Sequence, residues 1–183
     1  MIENNYDILL IVGKRKTGKT TFGREVIKKS LQPKILVVDT FEHPAYDDFQ
    51  TITVDMLPRW KKGKKRIIYK TDEDLEAINK CVSNTLIVME DCTKYITGDL
   101  SKPITGIIFD SKQKKNDVML MYHGFAFAPP KLIANVNYIT LFKIGENIAN
   151  SKNKIPNYDL ILKGHKLIQS SRDPYINKTF LVN

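Results

Sequence analysis

The sequence predicts a doubly wound α/β fold with a mostly parallel central sheet flanked by helices. Three observations carry that expectation: apolar runs of strand length recur along the chain, helically spaced apolar residues fill the gaps between them, and a glycine-rich turn joins the first run to the first helical stretch. At 183 residues the chain has the size of one ordinary domain and is long enough to bury roughly 70% of its unfolded surface. No repeat or low-complexity segment interrupts it.

Taken in order, the runs "DILLIV" (7–12), "KILVVD" (34–39), "TLIVMED" (85–91), "DVMLMY" (117–122) and "YITLFKI" (138–144) read as buried strands of a parallel sheet. "TITV" (51–54) and "RIIYK" (66–70) flank the basic turn "KKGKK" and read as a peripheral hairpin or edge pair. Helical spacing appears in Phe22, Val26, Ile27 and Leu31, in Leu75, Ile78 and Val82, and in Ile104, Ile107, Ile108 and Ser111. The second of these helices opens on "TDED", where Thr71 and Asp74 stand at capping-box spacing. "APP" (128–130) starts a helix. Residues 145–183 read as an extension with one helix near 157–168 and a terminal strand near 178–182.

Composition narrows the function classes. The formal charge is +9, with 29 basic residues, of which only Arg15, Arg24, Arg59, Arg66 and Arg172 are arginine. That excess suits a polyanionic partner. Cys81 and Cys92 form no CxxC and have no histidine pair nearby, so a zinc site or disulfide framework is not expected. The longest clean apolar run is about seven residues, and the opening "MIENNYD" has neither the basic start nor the apolar centre of a secretory signal. The expectation is a cytoplasmic protein with no membrane association.

The turn "GKRKTGKTT" carries the sharpest chemistry. Gly13, Gly18, Lys19 and Thr20 satisfy GxxxxGK[ST] with a strand before and a helix after, the context in which this pattern cradles phosphate. The backbone N–H groups of Gly13, Lys14, Arg15, Lys16, Thr17, Gly18, Lys19, Thr20 and Thr21, with the amino end of the following helix, would surround the phosphates of a nucleoside triphosphate. Lys19 would reach the β- and γ-phosphates, and Thr20 would offer its hydroxyl to Mg²⁺. "TLIVMEDC" then delivers Glu90 and Asp91 to the carboxyl end of a strand, where open α/β sheets place ligand chemistry. One acid would hold Mg²⁺ with Thr20, a role given to Glu90, while Asp91 orients and deprotonates an attacking water. The bland alternative is a strand that ends in solvated acids.

At this point the chain resembles the HerA/FtsK-type DNA-pumping ATPases, and among them the small genome-packaging ATPases of tailless viruses. The residues that carry the resemblance are "GKRKTGKTT", "ILVVDTFEHPAY", "LIVMED" and "IIFDSKQKKNDVMLMYHGFAFAPPKLIANVNYITLFKI", over residues 6 to about 144. It implies an ASCE/RecA-like P-loop NTPase fold, Mg²⁺-dependent ATP hydrolysis, DNA as partner, a homo-oligomeric ring and, for a packaging enzyme, a capsid protein and a virion-associated setting. The family's sensor glutamine is replaced here by His123 in "MYHGF", and its acid pair, commonly Asp then Glu, reads Glu90 then Asp91. His123 reads either as a γ-phosphate or water partner or as a histidine satisfied in a loop. The family's arginine finger is replaced by the lysines of "SKQKKND", which leaves Lys112, Lys114, Arg59 and Arg172 as candidates for a cation supplied in trans.

"RWKKGKKR" (59–66) packs six basic residues and one aromatic into eight positions. Lys61, Lys62, Lys64 and Lys65 would meet DNA phosphates with Trp60 stacking on a base, or the stretch is a solvated hairpin tip. Three rivals stand beside the motor reading. A P-loop kinase needs lid arginines, and none occurs between Arg66 and Arg172. A non-catalytic DNA-binding or assembly factor would not need the acid pair, and a plasmid-transfer or toxin-like membrane ATPase would need a membrane span.

Overall fold

The computed structural model describes residues 6–183. Eight strands form one sheet: β1 (Ile8–Val12), β2 (Lys34–Asp39), β3 (Gln50–Thr51), β4 (Gly63–Ile68), β5 (Thr85–Met89), β6 (Asp117–Tyr122), β7 (Tyr138–Leu141) and β8 (Lys178–Leu181). Their order is β3-β4-β2-β5-β6-β1-β7-β8, with every pairing parallel except the antiparallel β7–β8 edge. The helices are α1 (Lys19–Lys29), α2 (Asp72–Cys81), α3 (Lys102–Phe109), the single turn α4 (Pro130–Ile133) and α5 (Tyr158–Ser170).

Two apolar layers follow from the two-residue period of the strands. Leu10, Leu36, Val38, Ile87, Met89, Leu120 and Ile139 point to one face, where they pack with Leu75 and Ile78 of α2, Ile104, Ile107 and Ile108 of α3, and Ile161 and Ile168 of α5. Ile11, Ile35, Val37, Val88, Met119 and Met121 point to the other, against Ile27 of α1 and the aromatic pair Tyr46 and Phe49. Each central strand is therefore apolar on both sides, which is why it reads as a continuous run and not as alternation.

Local chemistry explains where elements stop. The capping box at α2 is present as expected, with Thr71 and Asp74 satisfying each other's backbone N–H groups. β5 ends at Met89 instead of running to 91, because Asp91 adopts a left-handed conformation (φ 48°) that turns the chain out of the sheet. α1 ends at Lys29, so Leu31 lies beyond the helix and is 67% exposed. The terminal helix and strand expected near 157–168 and 178–182 are α5 and β8.

Of the hairpin or edge pair expected around "KKGKK", the structure forms the edge pair. β3 and β4 are parallel, not a hairpin, and β4 begins at Gly63, inside the "KKGKK" run. Residues 54–59 form a 3₁₀ segment where the strand "TITV" was expected to continue. The lysines that looked like a hairpin tip instead mark the entry of an edge-side strand.

Because seven strands run the same way, their carboxyl ends share one rim of the sheet. β1, β2, β5 and β6 all release their chains there, and β6 lies between β1 and β5.

Candidate functional site

The loop after β1 is built around two glycines. A side chain at Gly13 would meet Phe142 Cβ at 2.6 Å and Thr17 Oγ1 at 2.9 Å, so only hydrogen fits. Gly18 closes the loop at φ +93°. Lys14 N donates to Lys143 O (2.8 Å) and Gly13 N to Tyr122 O (3.1 Å), which ties the loop to the strands on both sides of β1. Thr17 Oγ1 donates to Lys14 O (2.8 Å) and helps hold the turn shut.

Lys19, the first residue of α1, folds back over the loop. Its Nζ donates to Gly13 O (2.6 Å) and Lys14 O (3.0 Å) and lies 3.4 Å from His123 Nδ1. Burial lowers the Lys19 pKa to about 8, against the opposing pull of Glu90 and Asp91. Thr20 Oγ1 donates to Glu90 Oε1 (2.7 Å). The second Glu90 oxygen is buried with no hydrogen-bond partner, and burial raises the pKa of this carboxyl despite the Thr20 bond.

Asp91 turns its two oxygens to different partners. Oδ2 pairs with Lys94 Nζ at 2.8 Å. Oδ1 lies 3.0 Å from His123 Nε2 but off the hydrogen-bond direction, so both atoms are buried without a bonded partner. His123 N donates to Thr93 Oγ1 (3.2 Å). Burial and then the Lys19 charge push the His123 pKa below its usual value, so the ring is neutral at pH 7. With Nδ1 accepting from the Lys19 ammonium, the ring proton is assigned to Nε2, on the Asp91 side.

These groups share one cleft of about 400 Å³ lined by Arg15, Lys16, Lys19, Thr20, Asp39, Thr40, Phe41, His43, Glu90, Asp91, Lys94, Met121 and His123. The placement of β6 between β1 and β5 explains the convergence: its carboxyl end drops His123 between the phosphate loop and the acid pair. Asp39 shapes the far wall by accepting from Phe41 N (3.1 Å) and His43 N (2.8 Å). A divalent cation fits the chemistry here, since a hydroxyl and a carboxylate already meet beside a buried, unpartnered carboxylate oxygen. Among the described residues no group of three His, Cys, Asp or Glu forms a metal cage, so Mg²⁺ would take Thr20, Glu90 and otherwise water or phosphate oxygens.

Sequence reasoning missed Lys94. It stands three residues after Asp91 on the turn that follows β5, bonds Thr40 Oγ1 (3.2 Å) and sits 3.7 Å above the Phe41 ring. The only signal was its spacing from the acid pair. His43 also lines the cleft.

The other sequence-predicted residues lie elsewhere. Trp60 is corrected as a stacking surface: it is 8% exposed, its Nε1 donates to Lys62 O (2.8 Å), and its ring packs into the core. Burying an indole's apolar area outweighs leaving it in water for a base. Lys61, Lys62 and Lys64 are exposed at the start of β4, on the rim opposite the cleft. Lys64 is 3.9 Å from Asp48, and Lys65 donates to Gln50. Arg59 and Lys112 are exposed near that same rim. Lys114 is engaged within its own chain, donating to Asn79 O and Oδ1 and lying 3.6 Å from Asp110. Arg172 is exposed next to Ser171, whose carbonyl accepts from Lys143 just past β7, on the cleft rim. No helix among the described residues is long and apolar enough to cross a membrane. Residues 1–5 of the opening stretch "MIENNYD" lie outside the described residues.

No family model and no curated protein sequence matches the chain. Solved structures do. The genome packaging NTPase B204 of Sulfolobus turreted icosahedral virus 2, in complex with ATP-γS, superposes with a TM-score of 0.75 at 16% identity, covering 98% of this chain and 94% of that one. B204 described as the DNA-packaging ATPase of Sulfolobus turreted icosahedral virus gives 0.69 at 13% identity over the same shares. The N-terminal domain of zonular occludens toxin from Neisseria meningitidis gives 0.53 at 11% identity, over 97% and 94%. These neighbours agree with the resemblance read from the sequence and, at such identities, show the fold alone: the chain has the α/β fold of the P-loop NTPases.

Proposed function

We propose that this chain is a Mg²⁺-dependent ATPase of the HerA/FtsK type that translocates DNA, serving to package a viral genome into a capsid. The whole chain forms one ATPase unit, with residues 6–144 as its core and 145–183 as an extension. One observation carries the reading: Thr20 and Glu90 meet at 2.7 Å beside a buried, unpartnered carboxylate oxygen, while Lys19, His123 and Asp91 converge on the same cleft. A phosphate loop alone binds nucleotide; a loop facing both a metal-competent acid and a second acid next to a neutral imidazole is arranged for hydrolysis.

In that scheme the loop backbone and Lys19 hold the β- and γ-phosphates and neutralise charge that develops on the transferred group. Thr20 and Glu90 would hold Mg²⁺, which would supply a further positive charge to the site. Asp91 accepts the proton of the attacking water, and the neutral His123 donates from Nε2 to orient that water or the γ-phosphate oxygen. Lys94 neutralises Asp91 until the cleft fills. The exposed lysines 61, 62 and 64, with Lys65, meet the DNA backbone. Subunits act as a homo-oligomeric ring in the cytoplasm or on the virion, where Arg59, Arg172, Lys112 or Lys114 supplies a cation to the neighbour's site.

The test is steady-state phosphate release with and without duplex or single-stranded DNA. Hydrolysis stimulated by DNA supports the motor. Hydrolysis indifferent to DNA, or transfer of the phosphoryl group to a small acceptor, overturns it.

A further inference from the structure

The cleft at the carboxyl rim accounts for the phosphate end of a nucleotide and names no partner for its base. Thr20, Glu90, Asp91 and His123 mark the terminal phosphate on the β5 and β6 side of the loop. A nucleoside triphosphate is a linear chain, so its base must leave on the other side, past Gly18 toward β7.

Two aromatic side chains stand there. Phe142, one residue past β7, is buried beneath the loop and packs edge-on against Phe22 with ring centres 5.9 Å apart. Tyr175, on the connection between α5 and β8, lies against the loop from outside. Its Cδ1 is 3.3 Å from the position a Cβ on Gly18 would occupy, yet the residue is 63% exposed. One edge of the ring touches its own chain and the rest faces water.

The segment that carries it is fixed in place. Asp173 N donates to Ser171 Oγ (3.1 Å), Tyr175 N donates to Asp173 Oδ1 (2.8 Å), and Lys143 Nζ donates to Ser171 O (2.5 Å). Lys143 in turn accepts from Lys14 N through its carbonyl (2.8 Å), so the segment and the phosphate loop are registered through one residue. An exposed aromatic held rigidly beside a phosphate site costs little further ordering when a flat ring stacks on it.

We propose that Tyr175 is the nucleobase platform of this site, stacking a purine base on its exposed face while Gly13 to Thr21 hold the phosphates. The proposal rests on the phosphate-loop reading. It also gives the extension after residue 144 a part in nucleotide binding that its sequence did not reveal.

The experiment compares equilibrium binding of ATP and of inorganic tripolyphosphate to the full chain, both with Mg²⁺. Tyr175→Ala is expected to weaken ATP by about 5- to 150-fold, the range seen when an aromatic that stacks on a base is truncated, and to leave tripolyphosphate within about twofold. Tyr175→Phe keeps the ring and is expected to stay within about twofold of wild type for both probes. ATP binding unchanged in Tyr175→Ala overturns the platform. An equal loss of both probes also overturns it, because Tyr175 would then act through the loop and not on the base. Wild-type protein that binds tripolyphosphate as tightly as ATP keeps the phosphate loop and removes the platform, whereas binding of neither removes both.

Discussion

Lys19 is held in the folded chain at a cost, and replacing it should raise stability while destroying nucleotide binding. Burial lowers its pKa from 10.5 to about 8. At 1.36 kcal/mol for each pH unit that fall disfavours the charged form by about 3 kcal/mol. Lys19→Met keeps the volume and removes the charge, but it also removes the bonds to Gly13 O and Lys14 O. Those two hydrogen bonds are together worth about 2 kcal/mol. The variant should therefore be more stable at pH 7 by about 1 kcal/mol, or roughly 2–4 °C for a chain of this size.

The sign reverses with pH. Below pH 8 the lysine is protonated in both states and the full cost applies. Between 8 and 10.5 the unfolded chain keeps a proton that the folded chain has lost, so wild-type stability rises with pH relative to the variant. At pH 10 the remaining cost is about 1 kcal/mol, less than the two hydrogen bonds, and wild type should then match or exceed Lys19→Met. Thermal melts of both proteins at pH 7 and pH 10 without nucleotide read this difference. ATP at a hundredfold excess over its dissociation constant should add about 2.7 kcal/mol to wild type and nothing to the variant. A variant less stable at pH 7, or a gap that does not change between the two pH values, would refute the burial argument.

Four further outcomes are expected. Asp91→Asn should leave ATP bound and unhydrolysed in a filter-binding and phosphate-release pair; if it instead loses Mg²⁺-dependent binding while Glu90→Gln retains it, the two acids exchange roles. Lys94→Met frees one Asp91 oxygen from a partly exposed ion pair, so DNA-free turnover should rise by no more than about fivefold, and a tenfold fall would place the Lys94 cation on the phosphoryl group. Replacing Lys61, Lys62, Lys64 and Lys65 together with serine should flatten the salt dependence of DNA affinity, read by titration at several salt concentrations, by about 0.9 log units per log unit of salt for each duplex phosphate that no longer meets a lysine. Mixing Lys19→Ala protein with an Arg172→Ala or Lys112→Ala protein should recover hydrolysis if a cation is supplied across a subunit interface, and activity per subunit should climb with concentration.

The central strands and the strand-to-helix turn at Gly13 to Thr20 were legible because their physics is local. A strand buried on both faces must be apolar at nearly every position, and Ile35 to Val38 or Val118 to Met121 show that without any partner in view. The turn was legible because its two glycines are needed locally, Gly13 for lack of room for a side chain and Gly18 for its positive φ. What failed was set by contacts distant in sequence. Lys62 and Lys64 bracket Gly63 as a turn would, yet Gly63 N donates to Pro33 O and enters β4 beside β2. Trp60 sits among lysines in the sequence and against Ile52 and Leu57 in the core cluster. Lys94 and His43 became visible only when β2 and β5, separated by 45 or more residues, were laid side by side so that Thr40 met Lys94.

The separation of the basic cluster from the cleft constrains how a motor built on this chain could work. β4 spans six residues from Gly63 to Ile68, and at about 3.3 Å each that puts the lysines at its entry roughly 20 Å from the rim where the cleft opens. They cannot reach the cleft of their own subunit, so coupling within one subunit must pass through the edge of the sheet. One buried charge lies on that path. Arg66, in the middle of β4, bonds Thr51 Oγ1 of β3 through Nε (3.1 Å) and the carbonyl of His43 through a terminal nitrogen (3.4 Å), and it lies 3.7 Å from Asp47. His43 belongs to the cleft wall that Asp39 fixes. A buried guanidinium is expensive to leave unpaired, so a shift of β4 against β3 must either carry the His43 loop with it or break these bonds. Force arriving at Lys61 to Lys65 would in this way reach the wall facing Glu90 through the placement of one arginine.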